Sequence, residues 1–264
     1  MPAGSPTPLP LELEPMKATL GTGVPEGGDW VYEVKYDGVR VVAHATAEEA
    51  RLVTRNGREK TAQFPEVVEA LREEARAAGR PLVLDGELVA LVKGEPARFQ
   101  EIQDRVHLKD EAEVRRRMDS DPAALVAFDV LADGDEVLMD EPWTARRARL
   151  EARLGKGSAH LRVSEVVRGS GERAVERARS AGWEGVIAKR TDALYRPGRR
   201  TGDWLKLKVE FRQEFVVGGW TDPQRSRKHL GSLLVGYFEG GELVFAGGVG
   251  TGFDVQGLRE MRAR

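Results

Sequence analysis

The sequence predicts an α+β fold of antiparallel sheets flanked by helices, followed by a smaller β-domain. Three observations predict it. Short β-branched or alternating runs recur from residue 30 to residue 209. Segments of helical spacing lie between them, the clearest over 64–78, where Phe64, Val67, Val68, Leu71 and Ala75 repeat. Beyond Val209 the style changes to closely spaced strands with glycine turns.

Taken in order, residues 1–28 read as a disordered or loosely docked arm with Met16 and Leu20 as anchors. The start is proline-rich, with neither a basic segment nor an apolar h-region, so it is not a secretory signal. Strands are expected at 30–36, 39–45 and 51–54. The helix over 64–78 stops at Gly79 and Pro81. A strand covers 82–92, charged helices cover 99–105 and 110–118, and an apolar strand covers 124–131. A helix over 144–154, capped by Thr144, precedes a strand at 161–167. A helix over 171–181 ends at Gly182, and strands follow at 185–190 and 204–209. The domains are therefore the arm 1–28, a main domain 29–209 and a β-domain 210–264. In the last, strands at 215–220, 232–238 and 243–249 make only part of a five-stranded barrel, and a helix begins near Asp254.

Composition narrows the function. At 264 residues, 41% of them apolar, the chain suits a folded protein. No run of apolar residues approaches a membrane span. The absence of cysteine removes disulfides, thiolate zinc sites and cysteine nucleophiles, and agrees with a cytoplasmic setting. The four histidines show no metal-ligand spacing. Net charge is −2, which argues against an indiscriminate nucleic-acid binder. Yet Lys189–Lys228 carries eleven Lys or Arg against five Asp or Glu, the footprint of a polyanion site.

Chemistry concentrates first in Tyr32-Glu-Val-Lys-Tyr-Asp-Gly-Val-Arg40. It reads as a hairpin whose two-residue turn is Asp37-Gly38. In that register Lys35 opposes Arg40, while Val34, Tyr36, Val39 and Val41 share a core face. Two opposed cations destabilise a sheet pair unless an anion belongs between them. A lysine so crowded loses its proton more readily, and a neutral amine is a nucleophile. A lysine in an Asp-Gly hairpin is ordinarily a solvated surface residue; the rest of the chain overturns that reading. Alternation in Val83–Val89 puts Asp85 and Glu87 on one face, where two carboxylates call for a hard cation or a ribose hydroxyl. Alternation in Trp204-Leu-Lys-Leu-Lys208 sets Lys206 and Lys208 together beside Trp204, again implying an anion.

Lys35-Tyr-Asp-Gly-Val-Arg40 has the Lys-x-Asp-Gly form of covalent nucleotidyltransferases. Five further segments follow in order: Thr54-Arg-Asn-Gly57, Leu84-Asp-Gly-Glu-Leu88, Phe128-Asp-Val-Leu131, Glu184-Gly-Val-Ile-Ala-Lys189 and Trp204–Lys208. This ordered set resembles the ATP-dependent DNA ligases, specifically the ligase module of bacterial end-joining ligases, over about residues 14–264. The resemblance implies a nucleotidyltransferase (adenylation) domain followed by an incomplete OB-fold barrel. It implies ATP and Mg²⁺ or Mn²⁺ as cofactors, and nicked or broken double-stranded DNA as substrate, held mainly through phosphates and so sensitive to salt. A Ku-like end-binding protein is the implied partner, the protein being a monomer of the nucleoid-associated cytoplasm.

Residue by residue, the resemblance makes Lys35 the nucleophile that takes AMP. Arg40 and Arg55 would contact ribose and phosphate oxygens. Glu87 would serve ribose or metal, and Glu184 the metal or the lysine. Phe128 would stack on adenine, and Glu33 would accept from its amino group. Lys206 and Lys208 would bind the α-phosphate and activate the nucleophile, with Lys189 in the same cage or on the substrate phosphate. The family's last basic motif has no match before Arg264. The expectation is slow self-adenylation with sealing of pre-adenylated nicks retained, and poor solubility from open barrel edges. The competing readings are an RNA ligase or capping-type nucleotidyltransferase, and an inert nick- or end-binding remnant.

Overall fold

The structure is a computed structural model and describes residues 7–27, 29–209, 214–223 and 230–263. Two compact units divide the chain, Met1–Val209 and Glu210–Arg264. The strands of the first are β1 (Lys17–Leu20), β2 (Trp30–Val34), β3 (Val39–Ala45), β4 (Ala50–Thr54), β5 (Leu82–Val92), β6 (Glu95–Pro96), β7 (Ala123–Asp133), β8 (Glu136–Val137), β9 (Leu161–Val163), β10 (Gly185–Arg190) and β11 (Arg200–Lys208). Its helices are α1 (Pro65–Ala78), α2 (Phe99–Gln103), α3 (Glu111–Ser120), α4 (Trp143–Leu154) and α5 (Gly171–Ala181).

Two sheets build the unit. The larger runs β4-β3-β5-β7-β8, with β6 on β5 and β9 on β7; the smaller runs β1-β11-β10-β2. Most pairings are antiparallel, but β1 lies parallel to β11 and β9 parallel to β7. Each sheet buries one face under helices. Leu82, Leu84, Leu88 and Ala90 of β5 pack with Phe64, Val67 and Leu71 from the α1 region and with Leu150 and Leu154 of α4. Tyr32, Val34, Val186, Ala188 and Leu207 pack against Ala174 and Ala178 of α5. Strict alternation then sends the other residues of these strands, Glu33, Lys189, Lys206 and Lys208 among them, to the opposite face. A third cluster, with Val42, Val83 and Leu131 from one sheet and Trp204 from the other, joins the two sheets.

Helix ends follow local chemistry. Pro65 opens α1, where its missing N–H costs nothing. Gly79 closes that helix in the left-handed conformation, φ 65°. The cap expected at Thr144 is not there: Pro142 precedes α4, and the Thr144 N–H donates instead to Thr191 O at 3.1 Å.

The structure corrects two larger expectations. Residues 30–45 are not a hairpin, because β2 belongs to the smaller sheet and β3 to the larger. The chain crosses between sheets at 35–38. Gly38 is there for closeness, since a Cβ on it would lie 2.1 Å from Leu88 O, and it takes no left-handed φ. Nor is the arm loose. Residues 17–20 form a strand on β11, and Met16 is fully buried. Leu20, expected as an anchor, is exposed.

In the second unit β12 (Val216–Trp220), β13 (Leu233–Glu239) and β14 (Glu242–Val249) form an antiparallel three-stranded sheet, followed by α6 (Val255–Ala263). This matches the strands expected of a partial barrel. Leu230, Leu233 and Leu258 make a small core, while Phe238, Leu243 and Phe245 are exposed. Among the described residues no helix is long and apolar enough to cross a membrane.

Candidate active site

Between the helix-free faces of the two sheets lies a cleft of about 810 Å³, within the range of small-molecule sites. Ten Lys or Arg and five Asp or Glu line it, so the space is built for an anion. All the predicted site residues, Glu33, Lys35, Arg40, Arg55, Glu87, Phe128, Glu184, Lys189, Lys206 and Lys208, are brought to this one cleft.

Lys35 sits on the crossing loop, and four consecutive residues of that loop are pinned. The Lys35 N–H donates to Gly185 O at 3.1 Å, the Tyr36 hydroxyl accepts from the Glu165 N–H at 3.2 Å, and Asp37 Oδ2 accepts from the Phe99 N–H at 3.2 Å. Gly38 abuts Leu88. The Lys35 ammonium bonds Glu184 Oε2, and Lys208 Nζ lies 3.2 Å from Glu184 Oε1. Burial raises the Glu184 carboxyl, but Lys35 and Lys208 more than reverse this and hold it below the usual range. Gly185, next in the chain, permits the approach of β11: a Cβ there would lie 2.1 Å from Leu207 O.

Arg40 does not oppose Lys35 across a hairpin; each bonds a carboxylate of its own, Asp85 and Glu184, and both lie near Glu87. Arg40 Nε and Nη2 donate to Asp85 Oδ1 and Oδ2 at 3.0 and 2.6 Å, and Tyr195 donates to Asp85 Oδ2 at 2.7 Å. Asp85 and Glu87 do share a face, but their fates differ. Asp85 is fully buried and satisfied by protein donors. Glu87 lies opposite Arg40 in the β3–β5 register and lines the cleft. Its burial outweighs the nearby Arg40 and Lys35 and pushes its carboxyl up to about 8.

Glu33 and Lys189 form a buried pair, Oε1 to Nζ 3.0 Å. Ser164 donates to Glu33 Oε2 at 2.8 Å and is itself held by Arg147. Lys189 also donates to Phe128 O at 3.1 Å, and its Nζ stands 4.8 and 4.4 Å from the Phe128 and Trp204 ring centroids. Burial pushes its ammonium down, against the pull of Glu33. Lys189 therefore supports an aromatic wall. Trp204 faces the cleft with the lysines of its strand, as alternation requires, but is buried edge-on to Phe128 and Tyr195.

Arg55 projects from the exposed turn after β4, and Lys206 lies half-buried on β11. Of the described cations of segment 189–228, Lys189, Arg200, Lys206 and Lys208 line the cleft. Lys189 is buried, Arg190 pairs with Asp192, and Arg196 with Asp140; Arg212, Arg225, Arg227 and Lys228 lie outside the described residues. Among the described residues no cluster of three or more metal-ligating side chains occurs; Glu87 and Glu184, the carboxylates expected to serve a metal, both line the cleft. Two suit Mg²⁺, which keeps waters and shares substrate phosphates. The unexpected contributors are Tyr195, Ser164 and Arg147. None carries a local sequence signal, because each acts on a residue of a distant strand.

Comparison with known proteins agrees with this geometry. The chain is 38% identical to the multifunctional non-homologous end joining protein LigD of Pseudomonas aeruginosa, over 99% of this chain and 30% of that protein. It spans about a third of that relative's length. Among solved structures, mycobacterial DNA ligase D complexed with ATP and MES superposes with a TM-score of 0.65 at 34% identity, covering 97% of this chain and 78% of that one. The ligase domain of Mycobacterium tuberculosis LigD gives 0.64 at 35% identity, with the same coverage. The fold is thus that of a ligase nucleotidyltransferase domain with an OB-like partial sheet. The family model of the ATP-dependent DNA ligase domain matches residues 15–208, and the chain belongs to that family.

Proposed function

We propose that this chain adenylates itself on Lys35 from ATP and uses the adenylate to seal 5′-phosphate/3′-hydroxyl nicks in double-stranded DNA. The observation that carries this is the Lys35 amine, fixed by a pinned loop in a cleft with ten cations against five acids. The deprotonated Nζ attacks the α-phosphorus of ATP; a P–N bond forms and pyrophosphate leaves. AMP then passes to the nick's 5′-phosphate, freeing the lysine. Attack by the 3′-hydroxyl closes the phosphodiester and releases AMP.

Phosphoryl transfer rests on positioning and charge neutralisation. Arg40 with its free Nη1, Arg55, Lys206 and Lys208 are the donors for phosphate and ribose oxygens. Phe128 offers a stacking face for adenine, beside the Glu33–Lys189 pair. Glu87 and Glu184 would hold Mg²⁺ or Mn²⁺, which when bound neutralises charge on the phosphates. Relatives named for non-homologous end joining support a role in DNA repair; on the same proposal the chain acts at the nucleoid as a monomer recruited by a Ku-like end-binding protein.

A duplex carrying one labelled nick tests the proposal. ATP with Mg²⁺ should give sealed product, GTP or NAD should not, and Lys35→Arg should give none. Sealing by Lys35→Arg at the parent rate would overturn it.

A further inference from the structure

Neither Tyr195 nor Asp85 lines the cleft, yet they are tied to Arg40, which does. The Tyr195 hydroxyl is buried and makes two bonds. It accepts the Met16 N–H at 3.1 Å and donates to Asp85 Oδ2 at 2.7 Å. Because a backbone amide can only donate, the hydroxyl proton is left for Asp85. Burial and the Asp85 charge push the phenol well above its ordinary range, so that proton stays in place at any working pH.

Asp85 in turn receives Nε and Nη2 of Arg40. A two-pronged pairing is planar, so the plane of the carboxylate sets the plane of the guanidinium. The pairing engages Nε and one Nη2 hydrogen, so both Nη1 hydrogens and the second Nη2 hydrogen remain, and their directions follow from Asp85. Tyr195 is itself immobilised. Its N–H donates to Met139 O at 2.8 Å, its ring stands edge-on to Trp204 at 5.8 Å, and the Arg146 guanidinium lies 5.8 Å from its centroid.

We propose that Tyr195 is a positioning residue: through Asp85 it fixes the direction in which Arg40 offers Nη1 to the nucleotide. This rests on the reading of Arg40 as an ATP-binding residue. It also gives a task to the segment before β1, because the Met16 amide orients the hydroxyl.

The test measures ATP affinity by calorimetry in a Lys35→Met background, which cannot form the adduct. Tyr195→Phe keeps the ring and should weaken ATP about ten-fold or more, the effect of losing a hydrogen bond to a charged group. Arg40→Lys keeps the charge but not the planar fork. If Tyr195 acts through Arg40, adding Tyr195→Phe to Arg40→Lys should change affinity less than two-fold. A structural role would instead multiply the two losses, and that result overturns the proposal. Should Tyr195→Phe not fold, Asp85→Asn enters the same cycle with the same two outcomes. A Lys35→Met protein that binds no ATP overturns the ATP-binding reading itself and takes this inference with it; intact ATP binding with multiplicative losses overturns the inference alone.

Discussion

The cleft holds two lysine–glutamate pairs that differ in what surrounds them. Lys189 and Glu33 are buried on the neighbouring strands β10 and β2, with Ser164 on the other carboxylate oxygen and aromatic rings beside the ammonium. Lys35 and Glu184 lie at a loop, Glu184 is partly exposed, and it divides its oxygens between two lysines. A buried pair cannot exchange partners cheaply, whereas a shared, half-exposed one can. On the proposed function the first pair is framework for the recognition wall, and the second is the one that would release an amine when phosphates arrive.

Breaking the buried pair should have the largest effect on stability. Glu33→Gln leaves an ammonium buried without its carboxylate, a cost of about 3–5 kcal/mol, read as a drop in Tm on the order of 10 °C. Glu184→Gln, the matching change in the other pair, should cost less than about 1 kcal/mol while slowing adduct formation. Equal losses of Tm in the two variants would erase the distinction.

Glu87 sharpens the comparison through pH. Its folded carboxyl titrates near 8, above its ordinary 4.5. A group raised on folding contributes stability that is complete below the unfolded value and is lost as pH rises through the folded one. The parent should therefore lose stability between about pH 4.5 and 8 relative to Glu87→Gln, and the two should converge in acid. Mg²⁺ should narrow the gap at pH 8 for the parent only. Thermal scans across pH, with and without the cation, measure this.

A smaller effect lies away from the cleft. His44 is buried against Thr7, with Arg51 and Glu12 nearby, and burial lowers it to about 4. A base depressed on folding gives stability that is present above its unfolded value and lost as pH falls through the folded one. The Thr7 segment should therefore loosen between about pH 6.5 and 4, which hydrogen exchange over residues 7–16 would report.

The motif residues were legible because alternation in a strand assigns faces without knowledge of the partner strand. Lys206 and Lys208 were placed on that ground, whereas Lys189 and the role of Glu33 came from the family resemblance; all four line the cleft. The hairpin was misread because Asp37-Gly38 carries the same local chemistry whether it turns a ribbon or lets a chain pass close to another sheet. Which of these holds depends on Leu88, some fifty residues on. Tyr195 and Ser164 were invisible for a similar reason: their bonds span 110 and 131 residues. The basic run 189–228 pointed to the cleft only in part: Lys189, Arg200, Lys206 and Lys208 line it, while Arg190 and Arg196 are individually paired elsewhere.

Intact-mass and peptide mass spectrometry after incubation with ATP and Mg²⁺ addresses the central claim most directly. The account predicts the added mass of one AMP, confined to the peptide bearing Lys35 and absent from Lys35→Arg. An adduct on any other side chain, or none on a folded protein that binds ATP, would contradict it.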